Sequence, residues 1–129
     1  MTKEITDTRM ARLWVETDKV VFIDIKPAAE FDVADIKELQ EISLKLAGGC
    51  DYVICADINN IKSVTKEARD FSGDEREINK SLLAMALITV SPISRVIGNL
   101  FMGLNKPPYP AKLFSDKEKA IEWLKDFFT

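Results

Sequence analysis

Apolar residues recur along the chain with a period that changes, and each change marks the boundary of an element. From Met10 to Val15 the pattern alternates. Ala11, Leu13 and Val15 fall on one side, with Arg12, Trp14 and Glu16 on the other. Val20 to Ile25 follows the short polar stretch Thr17-Asp18-Lys19 and is rich in β-branched and aromatic residues. Two such runs around a short turn predict an antiparallel hairpin, closed by Pro27, which cannot donate to a ladder.

At Asp32 the period lengthens. Val33, Ile36, Leu39, Ile42 and Leu46 recur at three and four residues, while Lys37, Glu38, Gln40, Glu41 and Lys45 lie outside that stripe. This predicts an amphipathic helix capped by Asp32 and stopped at Gly48-Gly49. Asp51 to Ile58 is too apolar for a half-exposed strand and reads as central. It ends in Asp57-Ile-Asn-Asn60, a turn-forming stretch. Ser63 or Thr65 can cap a short helix running through Lys66, Ala68 and Phe71.

Leu82 to Val90 is an almost continuous apolar run and reads as another buried strand. Ser91-Pro92 sets a cap and a first-turn proline before Ile93, Val96, Ile97, Leu100, Phe101 and Leu104, a second amphipathic helix. Asn105 to Pro110 is a rigid extended connection, and Ala111 to Phe114 a short strand near an edge. Ser115-Asp-Lys-Glu118 spells a capping box for a last helix burying Ala120, Ile121, Leu124 and Phe128.

The order is therefore β-β-α-β-α-β-α-β-α. It predicts an α/β fold: a mixed, mostly parallel five-stranded sheet with right-handed crossovers and helices packed on it. No linker, repeat or low-complexity tract interrupts the pattern. Residues 1–129 read as a single domain, with 1–8 as a flexible N-terminal segment.

Composition narrows the chemistry. The 129 residues hold 18 Lys plus Arg against 21 Asp plus Glu, a net charge of −3, and 47% are hydrophobic, as in an ordinary globular domain. There is no histidine, which excludes Ser-His-Asp and Cys-His nucleophiles, His-ligated metals and histidine acid–base work. The two cysteines, Cys50 and Cys55, cannot complete a zinc site. No cofactor is implied. No dense Lys/Arg cluster is present, which argues against nucleic acid. The charged N-terminus has no apolar signal core, and the longest apolar run falls far short of the roughly 20 residues that span a bilayer. A cytoplasmic protein with no integral membrane segment is expected.

From the hairpin to the final helix the chain resembles the STAS family, the fold of the bacterial anti-sigma-factor antagonists. The local likeness is Asp57-Ile-Asn-Asn-Ile61-Lys-Ser-Val64-Thr65-Lys-Glu-Ala68, in which Asp57, Ile58, Ile61 and Val64 fit the family's spacing. Where the family has Asp-Ser-Ser-Gly, this chain has Thr65, Lys66, Glu67 and Ala68. A lysine cannot stand in for a phosphorylated hydroxyl, so that switch is not inherited. The C-terminal half, from Ser91 to Ser115, resembles a group of small uncharacterised bacterial STAS-like proteins.

Two places invite a function. The loop Ser63-Val-Thr65-Lys-Glu67 follows a strand and precedes a helix, where anions bind in open α/β sheets; the favoured alternative is a plain helix cap. Asp24, Asp57 and Glu67 can be read as a carboxylate site, against a structural role for Asp57 in a turn with Asn60, which is favoured. The helix from Ser91 to Leu104 has an apolar set wider than one core-facing stripe. Its excess surface either meets a second subunit, a partner or a lipid, or is covered by neighbouring segments.

The expectation is a non-enzymatic STAS-like module acting through protein–protein interaction, with a homodimer as one form. Its contacts would come from Asp57, Ser63, Thr65 and Lys66 in the loop, and from Arg95, Phe101 and Met102 on the helix. The alternative is a carrier or sensor of a small apolar or lipid ligand, since some STAS-like domains are grouped with lipid-binding folds. It requires a pocket under that helix. A small enzyme using carboxylates or Cys50 is the weakest reading.

Overall fold

The computed structural model of the chain describes residues 5–17, 19–27, 30–68, 80–104 and 109–128. Six strands form one sheet in sequential order: β1 (Thr6–Asp7), β2 (Ala11–Thr17), β3 (Val20–Ile25), β4 (Tyr52–Asp57), β5 (Leu82–Ile88) and β6 (Ala111–Phe114). β2 pairs antiparallel with β1 and β3, and the pairs from β3 to β6 are parallel. This is the expected mixed α/β sheet with one strand more than the five anticipated.

The added strand lies inside the segment expected to be flexible. Thr6 pairs with Leu13 and Asp7 with Arg12. Thr8 folds the chain back: its Oγ1 accepts from the Ala11 amide at 3.0 Å, and its own amide donates to the Ala11 carbonyl at 2.8 Å. The Asp7 carboxylate is ion-paired with Lys26. The segment has no apolar period of its own, and it is held by pairing with β2 and by the more distant Lys26.

Alternation along the strands separates two cores. Leu13, Val21, Ile23, Ile54 and Ala56 face one side, and Phe22, Val53, Cys55, Ala84 and Ala86 the other. Helix α1 (Val33–Ala47) covers the first face. Helix α3 (Lys117–Lys125) covers the second through Ala120 and Leu124, both buried. Burial on both faces is why β4 reads as a continuous apolar run. Trp14 stacks on Phe22 with ring centroids 5.9 Å apart, and Trp123 packs against Phe114 and Phe127, so both indoles serve the second core.

Local sequence sets the helix ends. Asp32 accepts from the Ala34 and Asp35 amides at 2.9 and 3.3 Å, and the Asp35 carboxylate accepts from the Asp32 amide at 3.0 Å, closing a capping box. Gly48, at φ 63°, ends α1 in the left-handed region, as anticipated. The cap of α3 is Asp116, not Ser115. β6 runs to Phe114, and Asp116 has the extended backbone of an N-cap and accepts from the Glu118 amide at 2.8 Å.

Helix α2 (Pro92–Leu104) starts where Ser91-Pro92 placed it, with Ser91 Oγ accepting from the Ser94 amide at 3.3 Å. Its rotation differs from the expected stripe. Ile93 and Val96 are 61% and 58% exposed, and Ser94 is buried. The buried hydroxyls of Thr89 and Ser94 hydrogen-bond to each other, which turns the polar Ser94 edge inward and carries Ile93 and Val96 outward. The anticipated end of the short helix at Phe71, residues 105–108 of the connection from Asn105 to Pro110, and the side chain of Phe128 lie outside the described residues.

An apolar pocket as candidate functional site

Between the sheet, α1 and Ile97 of α2 lies an apolar pocket with a volume of about 150 Å³. Its floor follows from strand alternation, since every second residue points to one face. β3 contributes Ile23 and Ile25, β4 contributes Tyr52, Ile54 and Ala56, and β5 contributes Leu82, Met85 and Leu87, the odd step from Leu82 to Met85 being absorbed by the irregularity in the β4–β5 register at Tyr52–Val53. α1 contributes Ile36, Leu39, Gln40 and Ser43, spaced as i, i+3, i+4 and i+7 and hence on one helix face. β5 and β6 are parallel neighbours joined through α2, and such connections as a rule cross over right-handed, which puts α2 on the face of α1, where Ile97 lines this pocket.

Two connections close the end of the pocket. Phe31, just before α1, forms a parallel bridge with Val64 in the stretch after β4. The Phe31 amide donates to the Ser63 carbonyl and the Thr65 amide donates to the Phe31 carbonyl, each at 3.0 Å. Phe31, Ile61 and Val64 all line the pocket.

Among the described residues, no lining residue carries a charge, and only Gln40, Ser43, Tyr52 and Tyr109 bear polar side-chain atoms. Ser43 Oγ donates to the Leu39 carbonyl at 2.7 Å, one turn back along its own helix. Burial pushes the Tyr52 phenol up to about 12. Burial raises Tyr109 as well, with Tyr52 adding to it, so both phenols stay neutral at physiological pH. Gln40 Oε1 is buried and has no hydrogen-bond partner among the described residues.

Of the anticipated site residues, Asp57, Ser63, Thr65, Lys66 and Arg95 are not among the residues that line this pocket. Asp57 ends β4, and its Oδ1 accepts from the amide and the side-chain Nδ2 of Asn59 at 3.0 and 2.9 Å. The turn partner is therefore Asn59; Asn60 instead donates from Nδ2 to the Ile25 carbonyl at 3.1 Å. Asp57 stands opposite Asp24 in the β3–β4 register. The Asp24 carboxyl is raised above its ordinary range by burial first and by the Asp57 charge second. Glu67 is exposed in the helical turn that begins at Lys66. Among the described residues no group of three or more His, Cys, Asp or Glu can hold a metal ion.

Ser63 offers its carbonyl to Phe31, and Thr65 Oγ1 accepts from the Ala68 amide at 3.0 Å as a helix cap. Lys66 and Arg95 are exposed. Phe101 and Met102 belong to α2, and their side chains lie outside the described residues. Cys50 is exposed, and Cys55 is buried on the opposite face of the sheet, with its thiol pushed up to about 11 by burial. Gln40 is the residue that sequence reasoning passed over, because the apolar stripe was drawn beside it. The signal was its spacing from Ile36 and Ser43.

A family of domains of unknown function, DUF7793, matches residues 13–128. The chain belongs to that family. The crystal structure of an uncharacterized protein from the DUF3478 family, with a SpoIIAA-like fold, from Shewanella loihica PV-4 is similar in architecture. It superposes with a TM-score of 0.58 at 15% identity, over 95% of this chain and 92% of that one. That likeness shows the STAS-like fold of this DUF7793 member. No curated protein matches the sequence. Among the described residues, no helix is long and apolar enough to cross a membrane.

Proposed function

We propose that this chain is a non-enzymatic binding module whose pocket between α1 and α2 takes a small apolar molecule. The observation that carries this reading is the pocket itself: apolar side chains from the sheet, both helices and the Phe31–Val64 bridge meet around about 150 Å³, with no charged group among the described lining residues. Protein cores are close-packed, and ligand sites are concave, mostly apolar and served by a few polar groups. The pocket combines these features. A cytoplasmic setting fits the free thiols of Cys50 and Cys55.

Toluene is the probe. At concentrations well above its dissociation constant it raises the melting temperature, because a ligand of the native state stabilises it by mass action. It also shifts the methyl resonances of Ile54 and Ile58. Ala56→Leu, which fills the floor, removes both effects. No thermal shift and no methyl perturbation with toluene up to its solubility limit would overturn the proposal, whether or not the Ala56 variant folds.

A second reading has its own observation. Val90, Ile93 and Val96 are exposed at the start of α2, a run of apolar surface suited to a protein partner or a second copy. Sedimentation velocity across a wide concentration range checks the second copy. Concentration-dependent association that Val96→Lys abolishes supports it, and a strict monomer counts against it.

A further inference from the structure

We propose that Gln40 selects, among apolar molecules, neutral ring-sized compounds carrying one O–H or N–H donor, such as phenols. This rests on the pocket reading above and goes further by naming the class of ligand.

Size sets the first limit. A cavity of roughly 150 Å³ lined by aliphatic and aromatic side chains is the size known to hold benzene. The volume here is about 150 Å³, so the enclosed part of the ligand is one ring or its equivalent. Charge sets the second. No lining side chain among the described residues is ionised, and burying an unpaired carboxylate or ammonium is strongly unfavourable. The ligand is neutral.

The polar inventory sets the third. Ser43 spends its hydroxyl proton on the Leu39 carbonyl. Gln40 lines the same stretch of α1, and its Oε1 is buried with no partner among the described residues. Buried polar atoms are nearly always hydrogen-bonded, so each exception calls for a reason. An amide oxygen accepts and never donates. A ligand hydroxyl or N–H meets that demand, and a hydrocarbon or an ether does not. Sites built to hydrogen-bond a ligand donor discriminate against analogues that lack it, because the protein group is then left unpaired.

Calorimetric titration of the full chain with phenol, toluene and anisole tests this, alongside Gln40→Leu. Gln40→Leu replaces the unpaired amide with an apolar group of similar size, a change that is neutral or stabilising when the amide has no partner. Its melting temperature reports directly on that premise. Expected are phenol binding weakened about tenfold by Gln40→Leu, with toluene unchanged or tighter, and no binding of benzoate at pH 7.

Equal effects of Gln40→Leu on phenol and toluene would overturn the role of Gln40 while leaving the pocket proposal standing. So would anisole gaining more than phenol from Gln40, which would mean that the amide presents its N–H. Failure of all three probes would overturn the pocket proposal and this inference together.

Discussion

Phe31 and Val64 face each other across an isolated parallel bridge, and both line the apolar pocket. The bridge couples the entry to α1 with the exit from β4, so the pocket wall depends on Thr65 as well. Thr65 donates its amide to Phe31, and its hydroxyl caps the turn that follows. Thr65→Ala keeps the amide and loses the cap. It is expected to cost about 1 kcal/mol, measured by urea denaturation, and to leave toluene binding unchanged. Loss of binding without loss of stability would assign Thr65 a direct contact.

Asn59 ties the exits of β4 and β5 together. Its Oδ1 accepts from the Val90 and Ser91 amides at 2.6 and 3.2 Å, while its own amide and Nδ2 donate to Asp57. Asn59→Ala frees both amides at the start of α2. The expected cost is about 1–3 kcal/mol. Faster hydrogen exchange at Val90 and Ser91 than at the α1 amides is the local signature.

Asp24 carries a pH dependence of defined sign. Its carboxyl is raised above 3.8 by burial and by Asp57, against the opposing pull of Arg12 and Lys117. The folded state thus holds this proton more tightly than the unfolded chain. The stabilisation from that carboxyl is full below its unfolded value near 3.8 and is lost as pH rises through the folded value. Asp24→Asn is therefore expected to melt higher than the parent at pH 7. The advantage shrinks as the pH falls toward 3.8. Melting curves across that range check it, and an advantage that grows on acidification would reverse the assignment.

Leu124 is fully buried on the face of the sheet opposite the pocket. Leu124→Ala should destabilise by about 2–5 kcal/mol, the cost of deleting buried methyl groups and leaving a cavity. The toluene dissociation constant of the folded fraction should not change. A large change would show that the two cores communicate through the sheet.

Much of the architecture was legible in the chain. Alternation in Ala11, Leu13 and Val15, the three-and-four spacing after Asp32, and the caps at Asp32, Gly48, Ser91 and Pro92 are local signals. Each depends on the fixed repeat of a strand or helix and on backbone groups that need a partner. The apolar runs of β4 and β5 likewise announced a sheet buried on both faces. β1 was not legible, because Thr6 and Asp7 become a strand only once β2 and Lys26 are beside them. The exposure of Ile93 and Val96 was hidden for a similar reason. A helical wheel shows which residues share a face, but the Thr89–Ser94 hydroxyl pair decides which face turns inward.

The absence of histidine, and of a serine where the resembled STAS family carries its phosphoacceptor, is a property of the sequence alone, and it bears on which side-chain chemistries are open to this chain. The pocket was a property of the tertiary structure alone. Its lining comes from residues as distant as Ile23 and Tyr109, and no local period encodes the gap between two helices lying on one sheet. Gln40 shows the division within one side chain. Its polarity is written in the sequence, but only packing buries its amide oxygen beside apolar neighbours and leaves it without a partner among the described residues.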